Sequence, residues 1–68
     1  MDIQWTDGFR IRVQSDQKQV VISANKEGLL SLRQQLAVLA EEAPGSHIHY
    51  DEYNALEKGS PVLIIEKE

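Results

Sequence analysis

The segment from His47 to Asp51 alternates polar and apolar side chains and carries the most recognisable chemistry in the sequence. Residues two apart on a β-strand project from the same face, roughly 7 Å apart. His47, His49 and Asp51 could therefore share one divalent transition metal ion. Plain strand alternation gives the same pattern, with these side chains on a polar sheet face that pairs with arginines across the sheet. We favour the polar face and expect no cofactor.

The other residues of the sequence do not form a pattern that is typical of a catalytic site. Two histidines can act as acid and base, but such a pair needs a substrate cleft, and one helix on a small sheet leaves little depth. Ser46 and His47 are adjacent, so on a strand they face opposite sides and cannot form a dyad. The chain has no cysteine and no glycine-rich phosphate loop. We therefore expect a binding protein, not an enzyme.

The length and the net charge of the chain limit the number of domains and the kinds of partner that we expect. The 68 residues predict a single domain over residues 1–68, near the lower size limit for independent folding. The net charge is −4 and the seven basic residues form no cluster, which argues against a nucleic acid partner. The longest apolar run, Val62 to Ile65, is far short of the about 20 residues of a membrane span. Because the N-terminus also lacks the pattern of a secretory signal, the predicted location is the cytoplasm.

Strand-like and helix-like apolar patterns follow one another along the chain. Residues 9–13 and 19–24 predict a β-hairpin around a loop at 14–18, and residues 46–51 and 62–67 predict a third and a fourth strand. With the helix between the two pairs, the order β-β-α-β-β predicts an α+β fold. We expect one mainly antiparallel four-stranded sheet with the helix packed on one face. Its open face would carry Arg10, Arg12, Ser23, His47, His49 and Asp51.

The predicted helix has a defined start and one apolar stripe. Asn25 is the expected N-cap, because its side chain can accept a hydrogen bond from a backbone N–H of the first turn. Gly28 in that turn suggests close approach to another backbone, and Pro44-Gly45 ends the helix. Leu30 and Val38 are expected on the solvent side. The stripe that should face the sheet is Leu29, Leu32, Leu36, Leu39, Ala40 and Ala43.

Residues 52–61 form a long connection before the last strand, and such connections are often functional. We expect one helical turn in it, anchored by Tyr53 or Leu56. Tyrosines beside carboxylates are typical of protein-binding surfaces, whereas Tyr50 is expected in the core beside Ile48. The predicted partner-binding residues are His47, His49, Asp51, Glu52, Tyr53, Glu57, Arg10 and Arg12.

The residues from Ser23 to Leu30, the leucine-rich helix, and the residues from Pro44 to Asp51 together resemble the immunity protein 32 family. The resemblance covers roughly residues 19 to 67, including the terminal strand from Val62 to Glu66. It implies a cytoplasmic bacterial protein of a polymorphic toxin system, which binds a cognate toxin domain and blocks it. His47, His49 and Asp51 match the family's strand motif, which assigns them no role. The alternatives are a small metal-binding module and a homodimeric structural module.

Overall fold

The computed structural model describes the whole chain and contains one helix and four strands. The α+β class and the predicted order of elements are confirmed, with boundaries that move by one to three residues. The helix has 15 residues and ends before Ala43. It lacks the length and hydropathy of a membrane-spanning helix. The elements are β1 (Ile11–Ser15), β2 (Val20–Ala24), α1 (Lys26–Ala40), β3 (His47–Tyr50) and β4 (Leu63–Glu66).

The strands form two separate two-stranded antiparallel sheets, in place of the single four-stranded sheet that we predicted. In the first hairpin Val13 lies opposite Ile22, and in the second Ile48 lies opposite Ile65. Both hairpins were expected. A short loop joins β1 to β2, and a single connection joins β3 to β4. The part of the prediction that is wrong is the pairing of one hairpin with the other, since no strand of the first hairpin bonds a strand of the second.

Part of the connection between β3 and β4 occupies the free edge of β1, where the second hairpin would have paired. Glu57 N donates to Ile11 O at 2.8 Å, and Val13 N donates to Ser60 Oγ at 3.1 Å. Ile11 and Leu56 also form an isolated parallel bridge. Because these bonds use the outward backbone groups of β1, neither β3 nor β4 can pair with it.

Asn25 joins the start of α1 to the segment that leads into β1. Its Oδ1 accepts from Gly28 N at 2.8 Å, which confirms the predicted N-cap, and also from Arg10 N at 2.9 Å. Its Nδ2 donates to Gly8 O at 2.9 Å. The expected close approach at Gly28 is confirmed as well, since a Cβ atom there would lie 2.6 Å from Arg10 O.

The buried face of α1 differs from the predicted leucine stripe. Its buried residues are Gly28, Ser31, Leu32, Gln35 and Leu39, whereas Leu29 and Leu36 are exposed and Leu30 and Val38 are half-buried. The N-terminal segment explains the difference. Thr6 N donates to Ser31 Oγ at 2.8 Å, and Gln35 Nε2 donates to Gln4 O at 2.7 Å. Ser31 and Gln35 are buried in place of leucines because they hydrogen-bond the backbone of the N-terminal segment, which packs on this side of α1.

The core lies between α1 and the inner faces of both hairpins. Trp5, partly buried, stacks on Phe9 with ring centroids 4.4 Å apart and meets the edge of Tyr50 at 6.3 Å. The N-terminal segment therefore closes the core on the β3 side. The buried apolar residues are Ile11, Val13, Leu32, Leu39, Ile48, Tyr50 and Leu56.

Candidate functional site

The turn that follows β3 is held together by Asp51 and Asn54. Asp51 Oδ1 accepts from Tyr53 N at 2.9 Å and from Asn54 N at 3.0 Å. Asn54 Oδ1 accepts from Asp51 N, and its Nδ2 donates to His49 O, both at 2.9 Å. Sequence reasoning missed Asn54, although an Asp followed three residues later by Asn is a recognisable turn pattern. Asp51 therefore stabilises the turn through these hydrogen bonds, independently of any role in binding.

Leu56, and not Tyr53, anchors the connection to the core. Leu56 is 5% exposed, whereas Tyr53 is 90% exposed at the outside of the turn. Glu52 Oε2 accepts from Gly59 N at 2.9 Å, so the beginning and the end of the connection are tied to each other. The aromatic ring of Tyr53 is thus displayed to solvent from a short segment with many internal hydrogen bonds.

The two histidines lie on the open face of β3, as predicted, and only His49 has a charged partner. His49 Nε2 lies 3.3 Å from Asp51 Oδ2, while His47 lies opposite Glu66 in the hairpin register. No group of three or more His, Asp and Glu side chains could hold a metal ion. The chain therefore brings together two of the three candidate ligands and leaves His47 apart.

The expected pairing between this strand and the arginines is wrong. Arg10 precedes β1 and Arg12 lies within it, and β1 and β3 belong to different sheets. The contact between His49 and Asp51 is the one contact within 4.0 Å between a basic and an acidic side chain, so both guanidinium groups lack a carboxylate at that distance. The physical cause is the segment 56–60, which lies on the edge of β1 and separates the two hairpins.

Two shallow, open depressions meet at Glu57. One, of about 530 Å³, is lined by Arg10, Arg12, Glu57 and Lys58 together with β2 residues. The other, of about 320 Å³, is lined by residues 9–11 and 52–57. Arg10 and Glu57 border both. Five predicted binding residues therefore share one continuous surface, which also includes Lys58: Arg10, Arg12, Glu52, Tyr53 and Glu57.

Tyr50 is a core residue, as predicted. Its hydroxyl donates to Gln35 Oε1 at 2.7 Å, and burial raises the pKa of the phenol above its ordinary value of 10.0. A neutral, hydrogen-bonded tyrosine at this position positions β3 against α1 and takes no part in surface recognition.

The family model of immunity protein 32 matches residues 19–68, which is more than half of the chain. The chain belongs to the immunity protein 32 family. This is a family of immunity proteins and not of enzymes, and membership implies a toxin partner in general terms. Searches of curated proteins and of solved structures find no match.

The immunity protein 32 match divides the candidate surface into two parts. It includes β2, α1, the second hairpin and the whole 51–60 connection, and therefore Glu52, Tyr53 and Glu57. Arg10 and Arg12 precede the matched region, although the fold places them beside Glu57. The surface thus combines residues inside the matched region with two arginines, at and just before the start of β1, that precede it.

Proposed function

We propose that this member of the immunity protein 32 family neutralises the toxin domain of a bacterial polymorphic toxin system. It binds the cognate toxin by protein–protein contact in the cytoplasm and performs no catalysis. The single observation that carries the proposal is the family match over residues 19–68. The exposed ring of Tyr53 and the charged side chains near it support the proposal.

Tyr53 is the central contact of the proposed interface. Tyrosine supplies a large contact area and a hydrogen-bonding hydroxyl at low cost in conformational entropy, and it is enriched among the residues that dominate binding energy. The internal bonds of the turn hold its backbone in place before binding. Preorganisation of this kind lowers the entropy lost on association.

Charged side chains surround Tyr53 and form the rim of the interface. Glu52 and Glu57 could meet basic groups on a toxin, while Arg10 and Arg12 could meet acidic groups or backbone carbonyls. Arginines without an ion-pair partner can engage a carboxylate in two parallel hydrogen bonds. The mixed charge favours recognition of one cognate partner over general attraction to any basic protein.

Co-expression tests the proposed function. A bacterium receives the toxin domain encoded beside this gene together with the chain, and surviving colonies are counted. We expect rescue by the chain and none by an unrelated acidic protein of similar size. Undiminished killing, with both proteins expressed and folded, would contradict the proposed pairing.

A further inference from the structure

One edge of β2 has no partner in the chain. Asp16 N donates to Gln19 O and Asn25 N donates to Arg10 O at the two ends of the first hairpin. Because bonded pairs alternate along an antiparallel ladder, Ser23 and Val21 point their backbone groups at β1. The N–H and C=O groups of Val20, Ile22 and Ala24 therefore point away from it. β2 pairs with β1 alone, so these six groups have no strand to bond.

The other strand edges are partly bonded or carry a charged residue. The segment 56–60 bonds the edge of β1, and Asn54 Nδ2 occupies His49 O on the edge of β3. β4 contains Glu66. Charged residues and proline are the usual means by which proteins keep an edge from associating. β2, with five residues and neither charge nor proline, has no such protection.

Aliphatic side chains on β2 are exposed to solvent, as are its unbonded backbone groups. Val20 and Ile22 are 63% and 42% exposed, although the register puts them on the same face as the buried Val13. Leu29 and Leu36 are also exposed. Leu29 projects from α1 roughly 160° from Ser31, which faces the N-terminal segment. The chain thus leaves both an unbonded strand edge and several aliphatic side chains uncovered.

We propose that a second copy of this chain covers β2, through antiparallel pairing of the two β2 strands about a twofold axis at Ile22. In this register Val20 lies opposite Ala24 of the other copy, and the outward groups of both strands bond one another. The strand order β1-β2-β2-β1 across the two copies makes one four-stranded antiparallel sheet. Each copy alone has only a seven-residue apolar core, which the second copy enlarges.

The choice of a second copy over a toxin rests on symmetry and charge. A twofold axis presents each edge with its own pattern of donors and acceptors, so the strand is complementary to itself. β2 carries no charge, whereas recognition of a different protein uses complementary charges to exclude wrong partners. Apolar, uncharged surface is instead typical of homodimer interfaces. The pairing also leaves the connection between β3 and β4 free, because residues 56–60 of that connection lie on the opposite edge of β1.

Sedimentation equilibrium on the full chain over roughly 1 to 100 µM tests the pairing. We expect twice the 7.7 kDa chain mass. Ile22→Lys places two ammonium groups against each other at the twofold axis, which should raise the dimer dissociation constant at least about 100-fold. Its half-exposed position lets a lysine reach solvent in the monomer, and circular dichroism checks that the variant folds. Ile64→Lys, at a 55% exposed aliphatic site on β4, is the matched control and should remain dimeric.

A cysteine variant tests the register itself. The chain has no cysteine, so Ile22→Cys introduces a single thiol. In the proposed dimer this thiol faces the same thiol of the second copy. Opposite residues in a bonded antiparallel pair have Cα atoms about 5.5 Å apart, within disulfide range. Oxidation should crosslink Ile22→Cys and leave Ile64→Cys monomeric on a denaturing gel. A chain that is monomeric at the highest concentration, or a dimer that persists in Ile22→Lys, would overturn the proposal, and neither result depends on toxin neutralisation.

Discussion

The hydroxyl of Tyr50 donates a 2.7 Å hydrogen bond to Oε1 of Gln35, and both side chains are almost completely buried. Gln35 in turn donates from Nε2 to Gln4 O. One buried glutamine therefore connects β3, α1 and the N-terminal segment. Because a buried polar group without a partner is costly, the three elements depend on one another through this side chain.

Tyr50→Phe should lower the free energy of unfolding by about 1–3 kcal/mol, because it leaves the buried Oε1 of Gln35 without its donor. Urea titration followed by circular dichroism measures the change. Tyr53→Phe removes the same atom from an exposed ring and should change stability by less than about 0.5 kcal/mol. Equal effects of the two variants would argue against the buried bond.

Alkaline pH should destabilise the chain through Tyr50. Burial raises the pKa of its hydroxyl in the folded state, so at high pH the unfolded state releases this proton more readily. The contribution is complete below the unfolded pKa of about 10 and is lost as the pH rises through the folded pKa. Denaturant midpoints at pH values below and above 10 should fall more steeply for the wild type than for Tyr50→Phe. Parallel curves would mean that Tyr50 titrates alike in both states.

Gly28→Ala should destabilise the fold by about 1–3 kcal/mol, although alanine is the better helix former. The added Cβ would lie 2.6 Å from the backbone oxygen of Arg10 and 3.0 Å from Ala24 Cβ, so α1 must move away from β1. Thermal unfolding measures the effect. Gln34→Ala, at an exposed position in the same helix, is the comparison and should be close to neutral. A stabilised Gly28→Ala variant would refute the close approach.

Tyr53→Ala should weaken toxin binding by about 2 kcal/mol or more, which is roughly a 30-fold rise in Kd. Isothermal titration against an inactivated toxin domain measures it. The ring is exposed, so stability should hardly change. Val62→Ala truncates another exposed side chain that lines neither depression and should leave Kd unchanged. Unaltered affinity in Tyr53→Ala would move the interface elsewhere.

Glu57→Lys should slow association with a basic toxin about tenfold at low salt, and the difference should shrink as salt is added. Glu57 suits this test better than Asp51, because its side chain makes no hydrogen bond whereas Asp51 holds the turn. Stopped-flow or surface-plasmon measurements at two salt concentrations give the association rates. Glu66→Lys makes the same charge change on β4 and should have a smaller effect. Equal slowing by both variants would indicate general charge attraction without a local contact.

Features that depend on neighbours in sequence could be predicted from the sequence. The order of elements follows from apolar periodicity, the N-cap at Asn25 from its position before the helix, and the need for glycine at position 28 from its poor fit in a first turn. The burial of Tyr50 follows from alternation along β3. Each of these depends on residues that lie within one element or at its end.

Features that depend on distant segments were decided only by the tertiary structure. Ser31 and Gln35 are buried in place of Leu29 and Leu36, because the N-terminal segment brings backbone groups that need polar partners. The two sheets remain separate because Leu56 enters the core and the backbone that follows it bonds β1. That same choice of anchor exposes Tyr53 and places the two arginines beside Glu57. Periodicity identifies which residues form a face, but the partner that covers a face is chosen by competition among segments far apart in the chain.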